Sequence, residues 1–296
     1  MLTNAKYNET LGKDYLFASA LAYCPADMIM SRMCNNATEA TEAAGMYPIH
    51  AIDNTACDDP ITYMILQRDS EKEFIISFSG TINTKELLKE VTDGLPINYK
   101  YAKDDKPKVF KFFFEHYDLG FRKDLNKKIQ ELAILHPDYR FTFTGHSLGG
   151  ALAVHAAAGW ILSDLLVSNK VYIYTYGQPR VGNKEFLDLF EHRVDEFYRV
   201  VHHKDIVSHM PPCMTDWHNS CHTSGILPIY PFHSAQEIWY EENFPSYTEC
   251  NSTHGEDPLC SNSQKFMSVD NHLYYFGIQP GMFYFSKVGE ITNDSI

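Results

Sequence analysis

The sequence predicts an α/β fold: a mostly parallel central sheet with helices on both faces. Three observations predict it. Short, largely apolar runs occur at 73–80 (EFIISFSG), 171–176 (VYIYTY) and 197–202 (FYRVVH). Strands of a parallel sheet are buried on both faces and read as such runs. Segments of helical period alternate with these runs on short connections, the mark of a chain that crosses back over its own sheet. The chain has 296 residues, 44% of them hydrophobic, and a chain of that length can bury roughly 75% of its unfolded surface.

Each element follows in order. Residues 16–23 (LFASALAY) are apolar and follow Lys13 and Asp14. With no basic segment ahead of them they read as a buried helix and not as a clear signal peptide. Residues 73–80 form a strand ended by glycine. Residues 84–91 form a short helix with Leu87, Leu88 and Val91 on one side. Residues 110–135 carry apolar side chains at 121, 125, 129, 132 and 135, a helical spacing stopped by Pro137. Residues 139–144 (YRFTFT) form a strand, and an alanine-rich helix runs from about 149 to 166. The strand at 171–176 ends at Gly177, residues 183–191 suit a helix, and 197–202 form another strand. Beyond Pro211 the chain is rich in Pro, Cys and His and reads as long loops with a few strands. No linker or repeat divides it, so we expect one domain over residues 1–296.

Lys and Arg number 25 against 38 Asp and Glu, a net charge of −13. Such a surface repels phosphate backbones and gains nothing from an anionic membrane. Any lipid contact must come from apolar area. No stretch approaches the roughly 20 apolar residues that span a bilayer. Seven cysteines (24, 34, 57, 213, 221, 250 and 260) and four N-x-Ser/Thr sequons (Asn8, Asn36, Asn251 and Asn293) point to an oxidising, secreted or lumenal setting. Seven is odd, so one thiol is left over.

The chemistry centres on Gly145-His146-Ser147-Leu148-Gly149-Gly150. G-x-S-x-G between a strand and a helix is a nucleophile elbow. The turn strains the serine backbone and needs small neighbours, which the glycines supply. The helix starting beneath Ser147 favours developing negative charge, and the Leu148 N–H is placed as an oxyanion donor. Serine needs a base. The usual order for this elbow is serine, acid, histidine. By order alone His202, His203, His209, His218, His222, His233, His254 and His272 all qualify.

FTFTGHSLGGALA, YTYGQPRVGN, HKDIVSHMPP, PFHSAQEIWY and DNHLYYFG, in that order, resemble the class 3 lipases, the fungal-type triacylglycerol lipases and their relatives, over about residues 15–285. The resemblance implies an α/β-hydrolase fold and a Ser-Asp-His triad. Its acid lies in a D-x-V-x-x-x-P-P segment, matched by Asp205. Its histidine lies in a D-H-x-x-Y-F segment, matched by His272, with Asn271 inserted after Asp270. Its first oxyanion residue follows a pattern like F-R-G-T, matched by Thr81, although Ser79 stands where the arginine is usual. Asp195, Asp216 and His233 are the fallback candidates.

The family often carries a lid after the oxyanion strand, and residues 82–96 (INTKELLKEVTDGLP) occupy that place without the usual tryptophan. The resemblance also suggests a Cys250–Cys260 bridge bracing the histidine loop. Cys213 with Cys221 is a pairing by proximity, and sequence does not say which of Cys24, Cys34 and Cys57 is unpaired. Cys213-x4-His218-x2-Cys221-His222 has no standard zinc spacing, so disulfides are the better reading and no metal or cofactor is expected. The expected function is hydrolysis of lipid carboxylic esters at a lipid–water interface, by a monomer with no transmembrane segment, foremost of triacylglycerols. Phospholipase A1 and feruloyl-type esterase are the alternatives within the family. A non-catalytic lipid-binding protein is the alternative outside it.

Overall fold

A computed structural model describes residues 6–54, 61–83, 88–89, 91, 94–163, 169–214, 221, 230–233, 236–251 and 257–285. Its strands are β1 (Tyr47–Asn54), β2 (Ile61–Arg68), β3 (Glu73–Phe78), β4 (Pro96–Asn98), β5 (Lys108–Phe110), β6 (Arg140–His146), β7 (Val171–Tyr176), β8 (Gly182–Asn183), β9 (Glu196–His202), β10 (Pro231–Phe232), β11 (Gln236–Tyr240) and β12 (Tyr247–Glu249). Its helices are α1 (Glu9–Leu21), α2 (Ala26–Met30), α3 (Asn35–Ala43), α4 (Lys111–Gly120), α5 (Arg122–Leu135), α6 (Leu148–Ile161), α7 (Lys184–Asp188) and α8 (Val269–Leu273).

An eight-stranded sheet runs β1-β2-β3-β6-β7-β9-β11-β12. From β3 to β11 every pairing is parallel. β1, β2 and β12 add antiparallel strands at the two ends. Alternation along each strand divides the core in two. Phe74, Ile76 and Phe78 of β3 join Phe141, Phe143 and Ile173 under α4, α5 and α6. Ile75 joins Tyr174, Tyr176 and Val200 under α1 on the other face. Each such large apolar side chain contributes about 1.5–3 kcal/mol when buried. This is the two-sided burial the apolar runs predict. A smaller sheet, β10-β8-β5-β4, lies apart from it.

Several elements differ from the sequence reading. β1 and β2 are additional strands. β1 is the sheet's edge, and its Pro48 sits at a register irregularity, where a strand tolerates proline. Residues 110–135 form two helices, because Phe121 leaves helical geometry (φ −127°) to bury its ring against Tyr63 and Phe78, with centroids 5.3 and 5.9 Å away. α6 ends at Ile161, short of 166. α7 is a short helix capped by Asn183, whose side chain accepts from the Phe186 N–H at 3.1 Å. The apolar run at 16–23 lies mostly in α1, with Tyr15, Leu16 and Ala18 fully buried.

Three disulfides form: Cys24–Cys34, Cys213–Cys221 and Cys250–Cys260. Cys57, residues 84–87 of the expected lid, and the candidates Asp216, His218, His222 and His254 lie outside the described residues. No helix among the described residues is long and apolar enough to cross a membrane.

Candidate active site

Ser147 follows β6 directly and precedes α6. Its φ of +61° lies in the left-handed region, which costs a non-glycine residue about 1–3 kcal/mol. The surroundings hold it there. Its N–H bonds the Tyr176 carbonyl at 2.9 Å. A Cβ on Gly145 would stand 2.3 Å from the Gly149 backbone, and one on Gly149 would stand 2.2 Å from the Phe78 carbonyl oxygen. Only glycine lets the elbow close this tightly on β3. Leu148 opens α6, so its N–H has no carbonyl within the helix to bond and sits at the positive end of the helix dipole.

The loop after β9 and the segment carrying α8 bring the other groups to Ser147 at the carboxyl edge of the parallel strands, the edge where open α/β sheets place their ligands. Asp205 follows β9 and pairs with Ser268 through an isolated bridge. His272 lies on α8 just beyond. His272 Nε2 is 2.8 Å from Ser147 Oγ, and His272 Nδ1 is 3.0 Å from both carboxylate oxygens of Asp205. An aspartate can only accept, so Nδ1 carries the hydrogen and Nε2 keeps its lone pair toward the serine. All three residues are at most 1% exposed.

Asp205 is ionised despite that burial. Burial pushes its carboxyl up. Attraction and hydrogen bonding from His272, with a hydrogen bond from Tyr275, outweigh it and hold the pKa at about 2. The Tyr275 hydroxyl donates at 2.5 Å, and the Val207 N–H donates at 2.8 Å.

Thr81 lies just past the end of β3, partly exposed, with its hydroxyl accepting from the Asn83 N–H at 3.1 Å. Ser79, in the place of the usual arginine, is spent on β2: its Oγ accepts from the Thr62 N–H at 2.9 Å. The fallback residues sit elsewhere. Asp195 accepts from the Val171 N–H at the start of β7, the opposite edge of the sheet. The His233 ring bonds the Ser208 carbonyl. Two residues that the motifs do not mark as functional stand against the Asp205–His272 pair. Tyr275 sits inside the DNHLYYFG segment, where nothing local distinguishes it from Tyr274. Gly177 has φ +58°, and a Cβ there would meet Asp205 Oδ2 at 2.7 Å and His272 Nδ1 at 2.8 Å. A strand-ending glycine was its only local sign.

The class 3 lipase profile matches residues 75–215, the stretch from β3 through the elbow to Pro211. The chain is 32% identical over 221 residues to a Rhizomucor miehei lipase, covering 74% of this chain and 56% of that one. The chain belongs to the class 3 lipase family. A Caenorhabditis elegans lipase is 29% identical, with 93% of this chain and 81% of the relative covered. Among solved class 3 lipases, the Rhizomucor miehei triacylglyceride lipase superposes with a TM-score of 0.78 at 28% identity, over 94% of this chain and 98% of that one. A triacylglycerol lipase described as having a serine protease triad as its catalytic centre superposes equally well, covering 95% and 99%. The chain thus spans little more than half the length of the first curated relative it matches.

Within this class 3 lipase chain, the Cys213-x4-His218-x2-Cys221-His222 pattern offers no thiolate, because both thiols are in a disulfide. Glu237, Cys250 and Cys260 form the one compact group of metal-binding residue types among the described residues, and its cysteines are bonded to each other.

Proposed function

We propose that the protein hydrolyses carboxylic esters of lipids, foremost triacylglycerols, with Ser147 as nucleophile, His272 as base and Asp205 as the acid that orients it. The observation that carries this reading is the unbroken line from Asp205 through the His272 ring to Ser147 Oγ at hydrogen-bond distances.

In the first step His272 Nε2 takes the Ser147 proton as Oγ attacks the ester carbonyl carbon. The oxyanion that forms is stabilised by the Leu148 N–H and by Thr81, each donor worth about 3 kcal/mol. The tetrahedral intermediate collapses, the ester C–O bond breaks, and His272 returns the proton to the leaving alcohol. Water then repeats the sequence on the acyl-serine and releases the fatty acid. Asp205 remains ionised throughout and stabilises the imidazolium.

Ser147 is only 1% exposed, so substrate entry requires part of the surface to move. Residues 82–96 are the lid in this reading. Its ends are apolar and in water, Ile82 at 63% and Leu95 at 70% exposed, while Leu88 and Val91 pack against the core. An apolar lid can exchange water for lipid as it opens. The three disulfides and the exposed sequon residues Asn8 and Asn251 support a secreted or lumenal enzyme.

The test is an ester panel, comprising triacylglycerols of several chain lengths, phosphatidylcholine and methyl ferulate, on wild type and Ser147→Ala. Triacylglycerol turnover that vanishes in Ser147→Ala is the expected result. Serine-dependent turnover of phosphatidylcholine or ferulate alone reassigns the substrate to the two alternatives. Turnover that survives Ser147→Ala removes the reading.

A further inference from the structure

The elbow pattern places no demand on the residue before the serine, yet His146 is buried and fully engaged. Its Nε2 lies 2.9 Å from the backbone carbonyl oxygen of His272. Its Nδ1 lies 2.8 Å from the hydroxyl of Tyr23, just past the end of α1. The directions are fixed by chemistry. A carbonyl only accepts, so Nε2 carries the hydrogen. A neutral ring then leaves Nδ1 as an acceptor, so Tyr23 donates to it. The Tyr23 hydroxyl also lies directly against Gly80, where a Cβ would stand 2.3 Å from its oxygen. Donors and acceptors are matched from Tyr23 through His146 to the His272 carbonyl, with Gly80 packed on the Tyr23 end.

The line joins three segments far apart in sequence. Gly80 directly precedes Thr81. His146 directly precedes Ser147. The carbonyl belongs to His272 itself. The His146 ring also stacks on the His272 ring, with centroids 4.7 Å apart and an interplanar angle of 25°. The Tyr23 end is anchored by the Cys24–Cys34 disulfide at the next residue.

We propose that Tyr23 and His146 are positioning residues, a rigid strut that holds the oxyanion loop and the base in register on either side of Ser147. The proposal rests on the triad reading above. A rigid tie suits this place because a donor or base displaced by 1 Å can cost about 10²-fold in rate. The strut is also insensitive to working pH. Burial, with the nearby His272 ring, lowers the His146 pKa to about 3. His146 therefore keeps its tautomer, and no second positive charge faces the imidazolium that forms on His272.

The test measures kcat and KM on a soluble short-chain ester, which takes the lipid interface out of the comparison. The variants are Ser147→Ala, Tyr23→Phe, His146→Phe, His146→Gln and the Tyr23→Phe/His146→Phe double. Tyr23→Phe is expected to lower kcat roughly 10-fold and His146→Phe roughly 10²-fold, with KM within about two-fold. Glutamine can donate to the His272 carbonyl and accept from Tyr23, so His146→Gln should recover part of the loss. The double variant should be no slower than His146→Phe, because one break already opens the strut. Wild-type kcat in Tyr23→Phe and His146→Phe, with only a lower melting temperature, overturns the proposal. So do losses that multiply in the double. If the His146 variants do not fold, Tyr23→Phe, which removes a single oxygen atom, decides alone. Turnover retained in Ser147→Ala overturns the triad reading instead. An inactive Ser147→Ala beside a wild-type Tyr23→Phe removes the strut and leaves the triad.

Discussion

The two edges of the central sheet both bury ionised groups, and they do so in opposite ways. At the edge where β3 and β6 begin, Glu73 is fully buried and its carboxylate is saturated. It accepts from Arg68 at 2.6 and 2.9 Å, from Arg140 at 3.0 Å, from Tyr15 at 2.6 Å and from Thr142 at 2.5 Å. Asp14 closes the group from the far side of Arg68 at 2.9 Å. Glu71, partly exposed, adds a longer pair to Arg140 at 3.7 Å, so the buried carboxylate itself is answered by two guanidiniums. At the edge where the strands end, Asp205 faces the His272 imidazole and carries its negative charge without a permanent cation. The first arrangement has no proton to move and serves to hold strands. The second leaves room for one positive charge to appear on His272, which is what the proposed chemistry requires. The difference teaches that buried charge at a sheet edge becomes reactive when it is left one cation short.

Removing the uncompensated charge should have the largest effect. Asp205→Asn frees the His272 tautomer, and kcat on a soluble ester should fall by about 10⁴-fold, with the folded state retained by circular dichroism. A loss under ten-fold would break the contrast. Disturbing the balanced edge should do the reverse. Glu73→Gln leaves the buried Arg68 and the half-buried Arg140 partly unpaired and should cost about 3–5 kcal/mol in urea unfolding. The molecules that remain folded should keep wild-type kcat. A fall in kcat larger than the fall in folded fraction would show that the two edges are coupled.

Acid sharpens the comparison further. The Asp205 carboxyl is depressed in the fold, so it contributes stability above its unfolded pKa, near 3.8, and loses it as pH falls toward about 2. That contribution is about 2–3 kcal/mol. The stability gap between wild type and Asp205→Asn, followed by urea unfolding, should narrow by that amount between pH 5 and 2. An unchanging gap would mean that Asp205 is not held down by its neighbours.

A separate acid effect belongs to a buried group with neither arrangement. His155 on α6 lies between Phe114, Tyr117 and Phe186, and neither ring nitrogen has a hydrogen-bond partner among the described residues. Burial lowers its pKa to about 3. The unfolded chain takes up this proton below about pH 6.5 and the fold does not, so the site loses stability as pH drops from there toward 3. His155→Leu should therefore reduce the melting-temperature difference between pH 7 and pH 4. An unchanged difference would place the acid sensitivity elsewhere.

Much of this molecule is legible in the sequence, for a physical reason. A strand buried on both faces must be apolar along its length, so β3 and β7 declare themselves, and β6 and β9 do so within a residue or two. An elbow needs glycines where Gly145 and Gly149 stand, so its position is a local property. Strand β1 is not legible, because an edge strand carrying Pro48 meets no such demand. The division of 110–135 into α4 and α5 is not legible either, because it answers to the packing of Phe121 on Tyr63 and Phe78. The same limit applies at the site. Ten histidines follow Ser147, and composition and order do not rank them. Only the tertiary structure brings His272 back across 125 residues to Ser147 Oγ, carries His202 to the Asn271 and Glu242 carbonyls, and carries His233 to that of Ser208. The sequence by itself determined the sheet and the serine, because both are imposed by neighbours along the chain. The family resemblance names Asp205 and His272, but their meeting with Ser147, the close approach of Gly177 and the link from Tyr23 to His146 depend on loops meeting in space, which only the folded chain supplies.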